Sequence, residues 1–167
     1  MNILAILPLF YPAIMIHVAI GDLRTMRIAN RLILLLLVGY LVVIPLVGLT
    51  LADVASSVAA AAVVFTLGFV GFLRGWMGGG DVKLLTVATL WVGAGSVAPF
   101  IFYTSIFGAM LTTLLLIFRA ARLPAVWRGR EWISRLHQRD AGVPYGVAIA
   151  AAAVLVYVRV PWVTAQF

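Results

Sequence analysis

The longest apolar run limits the fold more than any other feature. From Val82 to Phe118 the chain offers 37 residues carrying a single charge, Lys83. As one helix that run would extend about 55 Å at about 1.5 Å per residue, while the hydrocarbon layer of a bilayer is about 30 Å thick. It has to turn back. Gly93-Ala94-Gly95-Ser96, with Pro99 just beyond, supplies the turn.

The rest of the chain repeats the pattern in shorter pieces. A spanning helix needs about 20 mostly apolar residues, and six stretches qualify or nearly so: 3–20, 32–49, 54–73, 82–95, 97–118 and 145–160. The third is rich in alanine, and its Gly68 and Gly71 suit close helix packing. The expected fold is an all-α membrane protein, a polytopic bundle of six transmembrane helices forming one domain over residues 1–167. Composition excludes the soluble alternative. The 167 residues are 65% hydrophobic and 10% charged, with a mean hydropathy of +1.16, whereas a soluble domain is about half apolar and about a quarter charged. There is no cysteine, which excludes a disulfide framework, a cysteine-ligated zinc site and a thiol nucleophile. Met1-Asn2 has no basic side chain, and Pro8 and Pro12 interrupt the first apolar run. That opening reads as a retained span rather than a signal peptide.

Basic residues orient the bundle. The first loop holds Arg24, Arg27 and Arg31, the third Arg74 and Lys83, and the fifth, 119–143, holds Arg119, Arg122, Arg128, Arg130, Arg135 and Arg139. Those are eleven of the twelve Lys and Arg residues, with only Arg159 elsewhere. Lys and Arg accumulate on the cytoplasmic side, so the odd loops are expected in the cytoplasm and both termini outside. The same residues account for the net charge of +7 beside anionic lipid, without any nucleic-acid partner.

Only five carboxylates exist: Asp22, Asp53, Asp81, Glu131 and Asp140. Asp53 reads as a solvated turn residue, and Glu131 and Asp140 are expected to pair with arginines of the fifth loop. Asp22 and Asp81 differ, because they close the first span and open the fourth. Ionisable groups at the lip of the bilayer are costly and default to functional candidates. The loop count, made without reference to them, puts both at the same face. Two carboxylates sharing a proton can hydrolyse a peptide bond: one takes a proton from water while the other polarises the carbonyl. Helix dipoles, taken span by span, favour the anion at Asp81 and the acid at Asp22, although Arg24 opposes the latter. The run Gly78-Gly79-Gly80 before Asp81 is expected to let the chain leave the helix and to permit close backbone approach.

At these residues the sequence resembles the type IV prepilin peptidases, aspartic proteases with a Gly-x-Gly-Asp motif. Three blocks carry the resemblance. Asp22-Leu23-Arg24-Thr25-Met26-Arg27-Ile28-Ala29-Asn30 is similar to the segment of the first aspartate, with Ala29 where the family usually has proline. Gly78-Gly79-Gly80-Asp81-Val82-Lys83-Leu84 matches the Gly-x-Gly-Asp block and its following lysine, and Val143-Pro144-Tyr145-Gly146-Val147-Ala148-Ile149-Ala150 is similar to the segment that opens the last span. The resemblance implies a catalytic pair, Asp22 and Asp81, in a bacterial inner-membrane enzyme without metal or cofactor. Its substrates would be prepilins, with pseudopilin precursors in the same class, cleaved after a glycine behind a short basic leader at the cytoplasmic face. The paired Cys-x-x-Cys motifs of the larger N-methylating members have no counterpart here. Peptidase activity alone is therefore expected, as in the compact enzymes of tight-adherence (Flp-type) pili.

Around the pair, Gly78, Gly80, Asn30, Lys83, Pro144, Tyr145 and Gly146 are candidates for shaping the site. Asn30 and Arg27 read either as organisers of the first loop or as an ordinary helix cap and topology determinant. Lys83 reads as a bias on Asp81 or as an interfacial anchor, and His17 as a proton partner or a packed polar residue. Trp127, Trp132, Ile133 and Leu136 form an amphipathic segment expected to lie on anionic lipid. Three other readings stay open: an intramembrane protease of the presenilin type, a small transporter using the two aspartates as proton or cation ligands, and a non-catalytic assembly scaffold.

Overall fold

Helix boundaries follow local chemistry. The structure, a computed structural model, describes residues 3–164; the side chains of residues 3–7, Ala125 and Arg128 lie outside that description. The reading of Met1-Asn2, and that of the Arg128 side chain, therefore fall outside it. The first helix, α1 (Ile3–Thr25), runs through Pro8 and Pro12 without a break, so the stretch 3–20 read from the sequence is one helix. Helix α2 (Asn30–Val47) stops at Gly48, whose φ of 70° is left-handed. Helix α3 (Leu51–Leu73) opens on a reciprocal cap. The Asp53 N–H donates to Thr50 Oγ1 at 3.2 Å, and the Thr50 N–H donates to Asp53 Oδ2 at 3.0 Å. Asp53 is thus more than a solvated turn residue: it closes a capping box. Helix α4 (Gly79–Val92) ends at Gly93, whose φ of 76° starts the reversal foreseen in the 37-residue run. A single 3-10 turn (Ala94–Ser96) leads into α5 (Val97–Ala120).

Two short helices, α6 (Ala125–Arg128) and α7 (Glu131–His137), occupy the basic loop, and α8 (Tyr145–Tyr157) and α9 (Pro161–Thr164) complete the described chain. Helix α4 packs against α3, α8 and α2, while α8 lies between α1 and α5. These two are the interior of the bundle. Val82, Leu84, Ala88 and Trp91 of α4 are buried, as are Ala148, Ile149, Ala152 and Ala153 of α8. A helix that is apolar all round belongs inside.

The outer helices show the converse. Leu34 and Leu41 on α2, Leu67 on α3, and Phe102, Leu116 and Ile117 on α5 all face outward and are exposed. Apolar surface on that scale is what lipid covers and water does not. Three stretches, Asn30–Val47, Leu51–Leu73 and Ala94–Ala120, are long and apolar enough to cross a membrane, and Tyr145–Tyr157 is a shorter apolar helix. With 14 and 13 residues, α4 and α8 reach only about 20 Å each at about 1.5 Å per residue.

Small residues set the close contacts, as anticipated for the third span. A Cβ on Gly68 would stand 3.1 Å from Val82 Cγ1, so α4 approaches α3 where α3 has no side chain. At the end of the bundle away from the start of α4, an aromatic layer surrounds Trp91. Its Nε1–H donates to the Leu36 carbonyl at 3.0 Å, and its ring stacks on Tyr11 with centroids 4.8 Å apart. Tyr11 in turn meets Tyr157 at 4.5 Å, which joins α1, α4 and α8.

The basic loop departs from expectation. Ile133 and Leu136 of α7 are buried against the bundle, not laid on lipid, since α7 packs on α5 and α1. Arg119 holds it there: its Nε–H donates to the Leu136 carbonyl and its Nη2–H to the Gly142 carbonyl, both at 2.8 Å. Trp127 keeps an exposed position, with its ring near Phe118. Among the described residues no ion pair joins Glu131 or Asp140 to an arginine, contrary to the pairing anticipated for them.

Candidate active site

Three segments far apart in the chain meet at one end of the bundle. The end of α1 brings Asp22, the start of α4 brings Asp81, and the start of α8 brings Gly146. Helix α1 terminates through Met26, a non-glycine residue at φ 53°, whose N–H donates to the Asp22 carbonyl at 2.7 Å. That left-handed residue turns the chain so that 26–30 runs beneath the start of α4. There Ile28 lies where a Cβ on Gly80 would stand 3.3 Å from its own Cβ. Lys83 Nζ donates to Asn30 Oδ1 at 3.1 Å, a second tie between the same two segments.

Both carboxylates line one cavity of about 620 Å³. Its wall includes Met26, Arg27, Asn30, Gly78, Gly80 and Lys83, and its rim includes Gly142 and Tyr145. Asp22 is only 4% exposed, and its Oδ2 accepts the Gly146 N–H at 2.8 Å, across 124 positions of sequence. Asp81 is half-buried, and its Oδ2 accepts the Gly78 N–H at 3.3 Å. The geometry explains both glycines. A Cβ on Gly146 would stand 2.7 Å from Asp22 Oδ2, and one on Gly78 would stand 2.9 Å from Asp81 Oδ2. Gly78 sits at φ −74° and Gly79 and Gly80 are helical. The glycine run therefore serves close approach, not an unusual backbone conformation.

The electrostatics follow from burial and proximity. Both groups stand beyond the apolar stretches 3–20 and 82–95. Burial, and after it the charge of Asp22, pushes the Asp81 carboxyl up to about 6, against the pull of the Gly78 N–H. Burial also raises Asp22, against the smaller opposing pull of the Gly146 N–H. Like charges in one site do not ionise together, so the pair retains a proton over a range where an isolated carboxyl would have lost it. Among the described residues no three His, Cys, Asp or Glu side chains converge as a metal set.

The other expected site residues divide. Gly78, Gly80, Asn30, Lys83 and Tyr145 line the cavity. Pro144 does not; it is buried at the start of α8, directly before Tyr145 and Gly146. Lys83 reaches Asn30 Oδ1 with its ammonium. His17 is exposed on α1 and is neither a proton partner of the pair nor a packed polar group. Sequence reasoning missed Met26, Trp76 and Met77 among the lining residues. Their signal was weak: each is an apolar residue in or beside a loop at the membrane face.

A helical membrane protein with two carboxylates in a shared cavity defines a class, and comparison with known proteins places the chain within it. The profile of the Type IV leader peptidase family matches residues 9–113, which include both aspartate segments. The chain belongs to that family, whose members are aspartic-type peptidases acting on prepilin-type substrates. The block around Gly146 lies beyond the matched residues. No match was found among curated proteins or among solved structures.

Proposed function

We propose that this protein is an intramembrane aspartic endopeptidase that removes the basic leader from type IV, Flp-like prepilins after a glycine, with Asp22 and Asp81 as its catalytic pair. One observation carries the reading: two acidic side chains, 59 positions apart, line the same cavity at one end of an apolar bundle. In the reaction, the ionised carboxylate takes a proton from water while the oxygen of that water bonds to the scissile carbonyl carbon. The protonated carboxyl gives its proton to the carbonyl oxygen. Collapse of the tetrahedral intermediate breaks the C–N bond: the proton taken from water passes to the leaving amine, and a hydroxyl of the intermediate returns its proton to the carboxyl that first donated one. The pair ends with the one proton it began with, on the same carboxyl.

The cavity suits an extended segment. Non-helical backbone at membrane depth is tolerated where it lines a wet space, and the non-helical Trp76-Met77-Gly78 stretch lines this cavity. The reading extends to six spans in one membrane-embedded unit, both termini outside, and the pair at the cytoplasmic face of a bacterial inner membrane. The distribution of basic residues supports that orientation. The activity proposed for the pair is peptide-bond hydrolysis. Pseudopilin precursors with the same leader chemistry fall within the same substrate class, and anionic lipid is the expected surround.

The test is processing in proteoliposomes. A precursor with a basic leader, a glycine and an apolar helix is offered to the purified protein. Cleavage after the glycine, lost in Asp22→Asn and in Asp81→Asn, supports the assignment. Cleavage that survives either substitution overturns it.

A further inference from the structure

We infer that the backbone N–H of Gly146 holds Asp22 as the ionised, water-activating member of the pair and leaves Asp81 to carry the proton. The inference rests on the aspartic-peptidase reading above and adds a division of labour and a positioning residue to it.

Three observations converge. First, the hydrogen bond from Gly146 to Asp22 is short, at 2.8 Å, and buried, and it belongs to the first turn of α8. An N–H there lacks a partner within its own helix, and the helix dipole adds positive potential at the same point. Taken span by span, the helix dipoles favour the acid at Asp22 because α1 ends there. The bundle brings the start of another helix to it and reverses the balance. Second, Asp22 accepts this bond with one oxygen, Oδ2, while the residue lines the cavity it shares with Asp81. Third, the contact tolerates no Cβ: one on Gly146 would lie 2.7 Å from Oδ2, 3.0 Å from Cγ and 3.1 Å from the Asp22 Cβ. Asp22 is nearly enclosed, so it has no room to yield. The corresponding bond to Asp81 is longer, exposed and local, from a glycine three residues earlier.

Other charged groups around Asp22 do not substitute for the N–H. Asp81 faces it from α4 and opposes a second negative charge. Arg27 and Lys83 line the same cavity, with Lys83 engaged by Asn30. Arg24 stands two positions on in α1, and Arg135 of α7 reaches the Arg24 carbonyl at 3.4 Å. Tyr145 presents its ring to α5 beside Gly108. Gly146 alone donates a hydrogen bond to the Asp22 carboxylate among the described residues.

The wild-type protein gives the first test. With glycine amides labelled with 15N and aspartate carboxyls with 13C, in nanodiscs, the Gly146 amide proton is expected to shift with the lower of the pair's two ionisation steps. Removal of Asp22 by Asp22→Asn abolishes that shift. A Gly146 amide that follows only the upper step, or does not titrate, overturns the inference. The second test is Gly146→Ala. The account expects kcat to fall about 10²-fold through misplacement of the carboxylate, with KM changed less than about threefold. The acidic limb of the pH profile should move to higher pH. A variant that processes at the wild-type rate with an unmoved acidic limb contradicts the inference. If Gly146→Ala does not insert, the wild-type titration decides alone. Processing that survives Asp22→Asn is a different failure, that of the aspartic reading itself.

Discussion

Asp22 and Asp81 are each held by the N–H of a glycine packed closely against the carboxylate, yet the two arrangements differ in kind. Gly146 reaches Asp22 from 124 positions away, at 2.8 Å and out of solvent. Gly78 reaches Asp81 from three positions away, at 3.3 Å and in the open. The first depends on the assembly of α1 and α8 and fixes a carboxylate rigidly. The second is a local feature of a helix start, and it leaves Asp81 able to adjust. A pair built this way has one fixed member and one adaptable member, which suits a reaction in which one carboxyl aligns a water and the other follows a moving carbonyl oxygen.

The comparison can be broken in four places, in order of expected effect. Asp22→Asn and Asp81→Asn should each reduce processing by on the order of 10⁴-fold or more, because members of a catalytic unit fail together; a precursor cleavage assay measures this. If only one substitution has that effect, the two carboxyls do not work as a pair. Gly146→Ala and Gly78→Ala then separate the two anchors. Loss of turnover should be about 10²-fold for Gly146 and about tenfold or less for Gly78, since a half-buried carboxylate can rotate away from a new methyl group. Equal losses would show that burial does not distinguish the sites.

Third, aspartate carbon titration should find the Asp81 carboxyl, held near 6 by burial and by the charge of Asp22, moved down in Asp22→Asn. The sign follows from the two causes. Removing the neighbouring anion eases ionisation, while burial remains and keeps Asp81 above the ordinary carboxylate range. An unmoved value would mean that the carboxyls do not sense one another. The smallest effect is expected for Lys83→Ala, which removes an exposed hydrogen bond to Asn30. Stability should change by about 0.5 kcal/mol or less, measured by thermal unfolding in detergent. A loss several times larger would make that contact a structural support of the site.

Much of this was legible in the residues. The 37-residue apolar run required a reversal, and Gly93 makes it. The distribution of basic residues alone places Asp22 and Asp81 at one face, and they line one cavity. What escaped notice has a common physical cause. In a chain that is apolar nearly everywhere, outward and inward faces do not differ in polarity, so periodicity does not tell which helices lie inside. The interior positions of α4 and α8, and the central place of Trp91, had no such signal. The contact of Gly146 with Asp22 is carried by a backbone N–H, which no side-chain pattern records. His17 misled for the complementary reason: a polar residue one turn from an aspartate shares its helix but not its face.

The absence of cysteine allows a direct test of the central claim, that Asp22 and Asp81 meet in one cavity. Cysteines are placed at both positions, and a short bifunctional thiol reagent is applied in native membranes. The account predicts an intramolecular cross-link in Asp22→Cys/Asp81→Cys, with none in either single variant. Two thiols that each react with a monofunctional reagent, yet are never joined by the short bifunctional one, would contradict it.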